Sequence, residues 1–191
     1  MSREIWLVRH GQTEWSLSGA HTGRTDIPLT EEGRKQAASL ATLLAGHRFD
    51  LVLSSPLQRA LDTCRLSGFG ESVQIDPNLQ EWDYGQYEGR TTADIHKQRR
   101  DWSLWRDGVP GGEAIEQVAA RAEAVLARAM QAGGDTVLFA HGHVLRILTA
   151  CWLELPPSDA RLFALGTASV SVLGYERETC VISRWNLSAS E

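Results

Sequence analysis

The tetrapeptide Arg9-His10-Gly11-Gln12 follows directly on the apolar run Ile5-Trp6-Leu7-Val8. A strand that ends on a cation, an imidazole and a glycine carries the beginnings of an anion site, because arginine offers a planar fork of donors and glycine lets backbone amides approach closely. A second junction of this kind lies far downstream, where Thr136-Val137-Leu138-Phe139-Ala140 ends in His141-Gly142-His143. Two more share its character: Ser54-Ser55-Pro56-Leu57-Gln58-Arg59, and the acidic stretch Leu79-Gln80-Glu81-Trp82. Ligands of an open α/β sheet bind beyond the carboxyl ends of its strands, so the four junctions are expected to converge. Two arginines, two histidines and a glutamate suit phosphoryl transfer through a phosphohistidine. A neutral imidazole attacks phosphorus, the guanidinium groups and second imidazole hold the equatorial oxygens, and a carboxylic acid protonates the leaving oxygen. The arginines also disfavour a charged His10 by like-charge repulsion.

The elements that must position these residues read as alternating strands and helices. Thr30-Glu31-Glu32 places a capping hydroxyl and two carboxylates where a helix begins, and Ala37, Leu40, Ala41 and Leu44 follow at helical spacing up to Gly46. Asp50 to Ser54 reads as a strand, Ser55-Pro56 as the opening of a helix with Pro56 in its first turn, and Val73 to Ile75 as a short strand. The polar, aromatic segment Asn78 to Gly112 leaves the alternation before an amphipathic helix through Val118, Ala122, Val125, Leu126 and Ala129. Ala168 to Tyr175 and Cys180 to Trp185 predict a closing hairpin. The pattern is α/β, with a mostly parallel sheet and helices on both faces.

Composition narrows the function classes. The 191 residues, 42% hydrophobic and 23% charged, suit a single domain over 1–191 with a full core. A net charge of -5 argues against nucleic acid or an anionic membrane as a partner held by bulk electrostatics, so anion binding has to be local. Cys64, Cys151 and Cys180 lack paired spacing and fit reduced thiols. Without a span-length apolar run, the expected location is the cytoplasm. Seven tryptophans fit either a core or a dimer surface, and a homodimer stays open.

Taken in order, Val8 to Trp15, Thr22 to Thr30, Ser54-Ser55-Pro56 with Arg59, Leu79 to Gly89 and Ala140 to His143 resemble the histidine phosphatase superfamily, the phosphoglycerate mutase-like proteins. The resemblance implies a three-layer α/β/α sandwich around a mostly parallel six-stranded central sheet. It implies that His10 is the phosphorylated nucleophile, that Arg9, Arg59 and His141 form the phosphate pocket, and that Glu81 is the proton donor. It further implies substrate-binding positions at Gln12, Thr13, Ser16, Thr22, Gly23, Tyr84, Gly142 and His143, with no metal or organic cofactor. The interval between Glu81 and His141 is compact. Ser16 and His143 stand where the mutases carry asparagine, and the chain is more similar to phosphatase members of the sugar-bisphosphatase type. The expected activity is hydrolysis of small phosphorylated metabolites, with mutase activity as the alternative.

Other readings of single residues remain open at this point. His143 either lines the pocket or packs under its helix, and Asp83 rivals Glu81 as the acid. His96, Lys97, Arg99, Arg100 and Arg106 either read the far end of an anionic substrate or form a wet helical face. Trp102 and Trp105, three apart, form a core-facing stripe or a pocket wall. A metal-dependent hydrolase built on His10, His141, His143 and a carboxylate would have to hold its cation beside Arg9 and Arg59. A phosphate-binding module without turnover would have no need of the acid.

Overall fold

The computed structural model describes residues 3–189. Strand β1 (Ile5–Arg9) and strand β4 (Thr136–Ala140) are parallel neighbours, with Arg9 opposite Ala140. Strand β2 (Leu51–Ser54) pairs in parallel with β4 on one side and with β3 (Val73–Ile75) on the other. Strands β5 (Ser169–Glu176) and β6 (Thr179–Ser188) form the expected hairpin, whose β5 joins β1 antiparallel. The sheet order is therefore β3-β2-β4-β1-β5-β6, parallel through its first four strands.

Alternation along β1 explains the layers. Ile5 and Leu7 face the core beneath helices α6 (Ile115–Gln131) and α7 (Gly142–Trp152), which contribute Val118, Val125, Val144 and Leu148. Trp6 and Val8 face the opposite core, covered by Leu40 and Leu44 of α2 (Glu31–Leu44) and Cys64 of α3 (Gln58–Cys64). With period-two side chains buried on both faces, such a strand is stable only between two helical layers.

Thr30 caps α2, its hydroxyl accepting from Gly33 N at 2.9 Å. Helix α3 begins at Gln58, two residues later than Pro56 suggests. The cause is tertiary: Asp26 Oδ1 accepts from Gln58 N at 2.8 Å, so the cap comes from a distant loop. The segment after β3 holds only short pieces, among them α4 (Thr92–His96) and α5 (Leu104–Asp107). It folds over the α6–α7 layer because Trp82, Tyr84, Tyr87, Ile95, Trp102 and Leu104 join that core. The three cysteines are free thiols, and among the described residues no helix is long and apolar enough to cross a membrane.

Candidate active site

Parallel pairing of β1 with β4 brings the two histidine junctions to one rim, where the His10 and His141 rings lie 5.2 Å apart between centroids. His10 is 5% exposed and its Nδ1 lies 2.7 Å from Gly11 O. A carbonyl can only accept, so the ring proton sits on Nδ1 and Nε2 keeps its lone pair. Burial, then Arg59 and Arg9, hold His10 well below the usual imidazole range. The residue is a neutral base with one bare nitrogen.

Arg9 Nη1 donates to Leu165 O, while its Nε is buried with no protein partner. Arg59, fully buried, donates from Nε to His141 Nδ1 at 3.1 Å. Its terminal nitrogens reach Thr25 O at 2.9 Å, Thr22 O at 3.2 Å and Gly23 O at 2.9 Å. Because His141 Nδ1 accepts, its proton is on Nε2 and goes to Ser55 Oγ at 2.8 Å. Both ring nitrogens of His141 are thus engaged by protein.

Glu81, 4% exposed, occupies the N-terminus of α7. Its Oε2 accepts from His143 N, and its Oε1 from Val144 N and Trp82 N, each at 2.9 Å. Carboxylates are favoured at such a terminus, where the first amides lack helical partners. Arg121 of α6 steadies this segment by donating to Asn78 O at 2.6 Å and Gln80 O at 2.9 Å. The Tyr84 hydroxyl lies 2.5 Å from His143 Nδ1. Burial, with Glu81 and Glu88 nearby, pushes Tyr84 well above the usual phenol range, so the neutral phenol donates.

A cleft of about 260 Å³ opens on this rim. Of the residues picked out by sequence, Arg9, His10, Ser16, Thr22, Glu81, Tyr84, Gly142 and His143 line it. Residues 5–188 match the family model described as the histidine phosphatase superfamily, branch 1. The chain belongs to that superfamily. Over 92% of its length it is 39% identical to an acid phosphatase of Mycobacterium tuberculosis, covering 88% of that protein. It is 36% identical to the sedoheptulose 1,7-bisphosphatase of Saccharomyces cerevisiae over 78% of this chain and 67% of the relative. The solved structure of an open reading frame product of Mycobacterium tuberculosis superposes with a TM-score of 0.93 at 38% identity, covering 98% of both chains. The protein is a phosphatase-family enzyme with the α/β architecture of its structural neighbours.

Several positions in this histidine phosphatase differ from the sequence reading. Arg59 and His141 do not line the cleft; they lie beside His10 and bond mainly to protein. Gln12 turns its Oε1 to Thr30 Oγ1 at 3.0 Å, and buried Thr13 caps α1 (Glu14–Ser18) in a box with Ser16. Gly23 spends its amide on Glu88 Oε1 at 2.8 Å, which removes it as a ligand donor. Asp83 accepts from Gly85 N at 2.9 Å and is not in the cleft, which leaves Glu81 as the carboxyl there. Arg99, Arg100 and Arg106 flank a separate shallow surface with Asp101 and Asp107, Arg106 pairing with Asp107 at 2.8 Å. His96 binds Trp102 O at 2.8 Å and Lys97 pairs with Asp94 at 2.7 Å, both apart from the cleft.

Two side chains that the sequence reading did not select complete the histidine phosphatase cleft. Arg146 lies 4.6 Å over the Trp105 ring and lines the cleft beside His143. Its spacing from His143, three residues along one helix, is the signal that could have found it. His21 sits 4.9 Å from Tyr84 and 6.4 Å from His143 between ring centroids, and burial lowers it to about 4. Trp102 is in the core, whereas Trp105 packs 5.1 Å from His143 between ring centroids. Among the described residues, no group of three or more His, Cys, Asp or Glu side chains is placed to hold a metal ion.

Proposed function

We propose that this histidine phosphatase hydrolyses small phosphomonoesters, sugar phosphates or sugar bisphosphates among them, through a phosphohistidine on His10 Nε2. The observation that carries the reading is the neutral His10, whose Nδ1 proton is fixed on Gly11 O in a cleft that Arg9 makes cationic. In the first step the monoanionic ester passes its proton to the Glu81 carboxylate, Nε2 bonds to phosphorus, and the ester oxygen leaves with that proton. Arg9, which lines the cleft, brings its guanidinium to an equatorial phosphate oxygen, and the charge of Arg59 helps keep His10 unprotonated. After the alcohol departs, water gives a proton to Glu81 and its oxygen to phosphorus, the P–N bond breaks, and inorganic phosphate leaves neutral His10. A cleft of about 260 Å³ suits a metabolite rather than a macromolecule, and Arg146 supplies a second cation for a distal anionic group.

The phosphatase names of the relatives favour hydrolysis over isomerisation, since a mutase has to shield its phosphohistidine from water. The test is a panel of phosphorylated metabolites assayed in excess chelator for phosphate release, with phosphoglycerate isomerisation followed in parallel. Labelled substrate is quenched in alkali, where phosphohistidine survives, and in acid, where it does not. The expected result is chelator-resistant hydrolysis, an alkali-stable label, and loss of both in His10→Ala. Label retained in His10→Ala would remove His10 as nucleophile, and faster isomerisation than hydrolysis would make the enzyme a mutase.

A further inference from the structure

The loop from Thr22 to Thr25 is gripped from two sides. Arg59 takes the carbonyls of Thr22, Gly23 and Thr25. On the other side a single oxygen, Glu88 Oε1, accepts from Gly23 N at 2.8 Å and from Thr25 N at 3.0 Å. The Thr22 carbonyl and the Gly23 amide belong to one peptide plane, so arginine and glutamate hold its opposite edges. There is no slack in the contact, because a Cβ on Gly23 would fall 2.4 Å from Trp82 O and 2.7 Å from Glu88 Oε2. Next to the grip, Gly89 N donates to His21 O at 2.8 Å and His21 N to Arg90 O at 2.9 Å, fastening the loop to the residues that follow Glu88.

We propose that Glu88 is a positioning residue for Arg59: by fixing the Thr22–Gly23 peptide and the Thr25 amide, it holds the carbonyls that aim the guanidinium at His141 and keep it beside His10. The inference rests on the phosphohistidine reading above. Glu88 does not line the cleft, and its hydrogen bonds reach Arg59 through the loop. The charged or titratable groups that bear on His10 and Arg59 are Arg9, Glu81, Tyr84, His141, Asp26 and Glu88. Arg59 is the largest charge keeping His10 neutral, so a guanidinium that has lost its aim lets the imidazole drift toward its ordinary range.

Both loop amides use the same oxygen, so Glu88→Gln can keep the two bonds while Glu88→Ala loses them. The experiment compares wild type, Glu88→Ala, Glu88→Gln, Arg59→Met and the Glu88→Ala/Arg59→Met double variant. Measured are kcat/KM for p-nitrophenyl phosphate from pH 5 to 8, urea unfolding, and alkali-stable labelling. Glu88→Ala is expected to lose roughly 10- to 100-fold in kcat/KM and to gain an acid limb that wild type lacks. Glu88→Gln should stay within a few-fold of wild type, and the double variant should be no slower than Arg59→Met. Glu88→Asp keeps the charge but withdraws the oxygen by one methylene; its acid limb provides the same test if the alanine variant does not fold. A stability loss in Glu88→Ala with an unchanged rate and pH profile overturns the inference, as does a Gln variant as slow as the Ala variant. Absence of an alkali-stable label in wild type overturns the phosphohistidine reading and this inference with it, whereas normal labelling rates in both wild type and Glu88→Ala overturn the inference alone.

Discussion

At the scale of single residues, the nucleophile is prepared by two contacts of different kinds. The carbonyl of Gly11 chooses which nitrogen bears the proton, and the charge of Arg59, added to burial, makes a second proton unfavourable. Only the second contact depends on charge, so the two separate by mutation. Arg59→Met keeps most of the buried volume and removes the guanidinium. His10 should then titrate higher than in wild type, while burial, the larger cause, and Arg9 still hold it below the ordinary value near 6.5, so kcat/KM should gain an acid limb beneath that value. Wild type should show no such limb from His10, because its depressed value leaves it neutral throughout. Losing one positioned cation of this kind should also slow the reaction by about 2–4 kcal/mol of barrier. Parallel pH profiles for the two proteins would show that Arg59 does not set the state of His10.

At the scale of elements, β1 and β4 did most of the positioning and were also the most legible. Their apolar runs and the histidines that end them are local features, and parallel pairing of Arg9 with Ala140 turns that locality into one rim. Helix α2 was legible from Thr30, and the β5–β6 hairpin from its two apolar runs. The start of α3 was not, since Asp26 caps it from a loop 32 residues earlier. His21 was missed for a related reason, since nothing near it in the chain says that it faces the cleft, whereas Arg146 had a local signal in its three-residue spacing from His143. One contact between elements bears on the chemistry directly. A Cβ on Gly33 of α2 would lie 2.0 Å from Gln12 O, and one on Gly11 would lie 2.3 Å from Gly33 O. The first turn of α2 therefore packs backbone against backbone on the segment that carries His10. Gly33→Ala should push that segment away, costing about 1–3 kcal/mol in urea unfolding and slowing His10 phosphorylation more than Gly46→Ala slows it. A Gly33→Ala protein that labels at the wild-type rate would show that α2 does not set the position of His10.

At the scale of the whole molecule, the cleft and the layer beneath it gather buried neutral imidazoles, and this sets a pH limit on the fold. Burial lowers His10, His141 and His143 well below the usual value, helped by Arg59 at the first two and by Arg146 at the third. His21 is lowered to about 4 by burial. In the unfolded chain all four would titrate near 6.5. Below that pH the unfolded state binds protons that the folded state refuses, so stability is complete above 6.5 and is lost as pH falls beneath it. For His21 alone the difference at pH 5 amounts to about 2 kcal/mol, and the other three act in the same direction. Asp94 and Asp107, held near 2 by hydrogen bonds to Lys97 and Arg106 respectively, begin to matter only near the ordinary carboxyl range and leave this window clear. Unfolding in urea at pH 7 and pH 5 should therefore show a loss of at least about 2 kcal/mol, steeper per pH unit than one histidine can produce. His21→Gln should reduce that slope by up to one proton and leave the remaining decline in place. A flat free energy between pH 7 and pH 5 would mean that these imidazoles accept protons in the folded protein, and the neutral state assigned to His10 would fall with it.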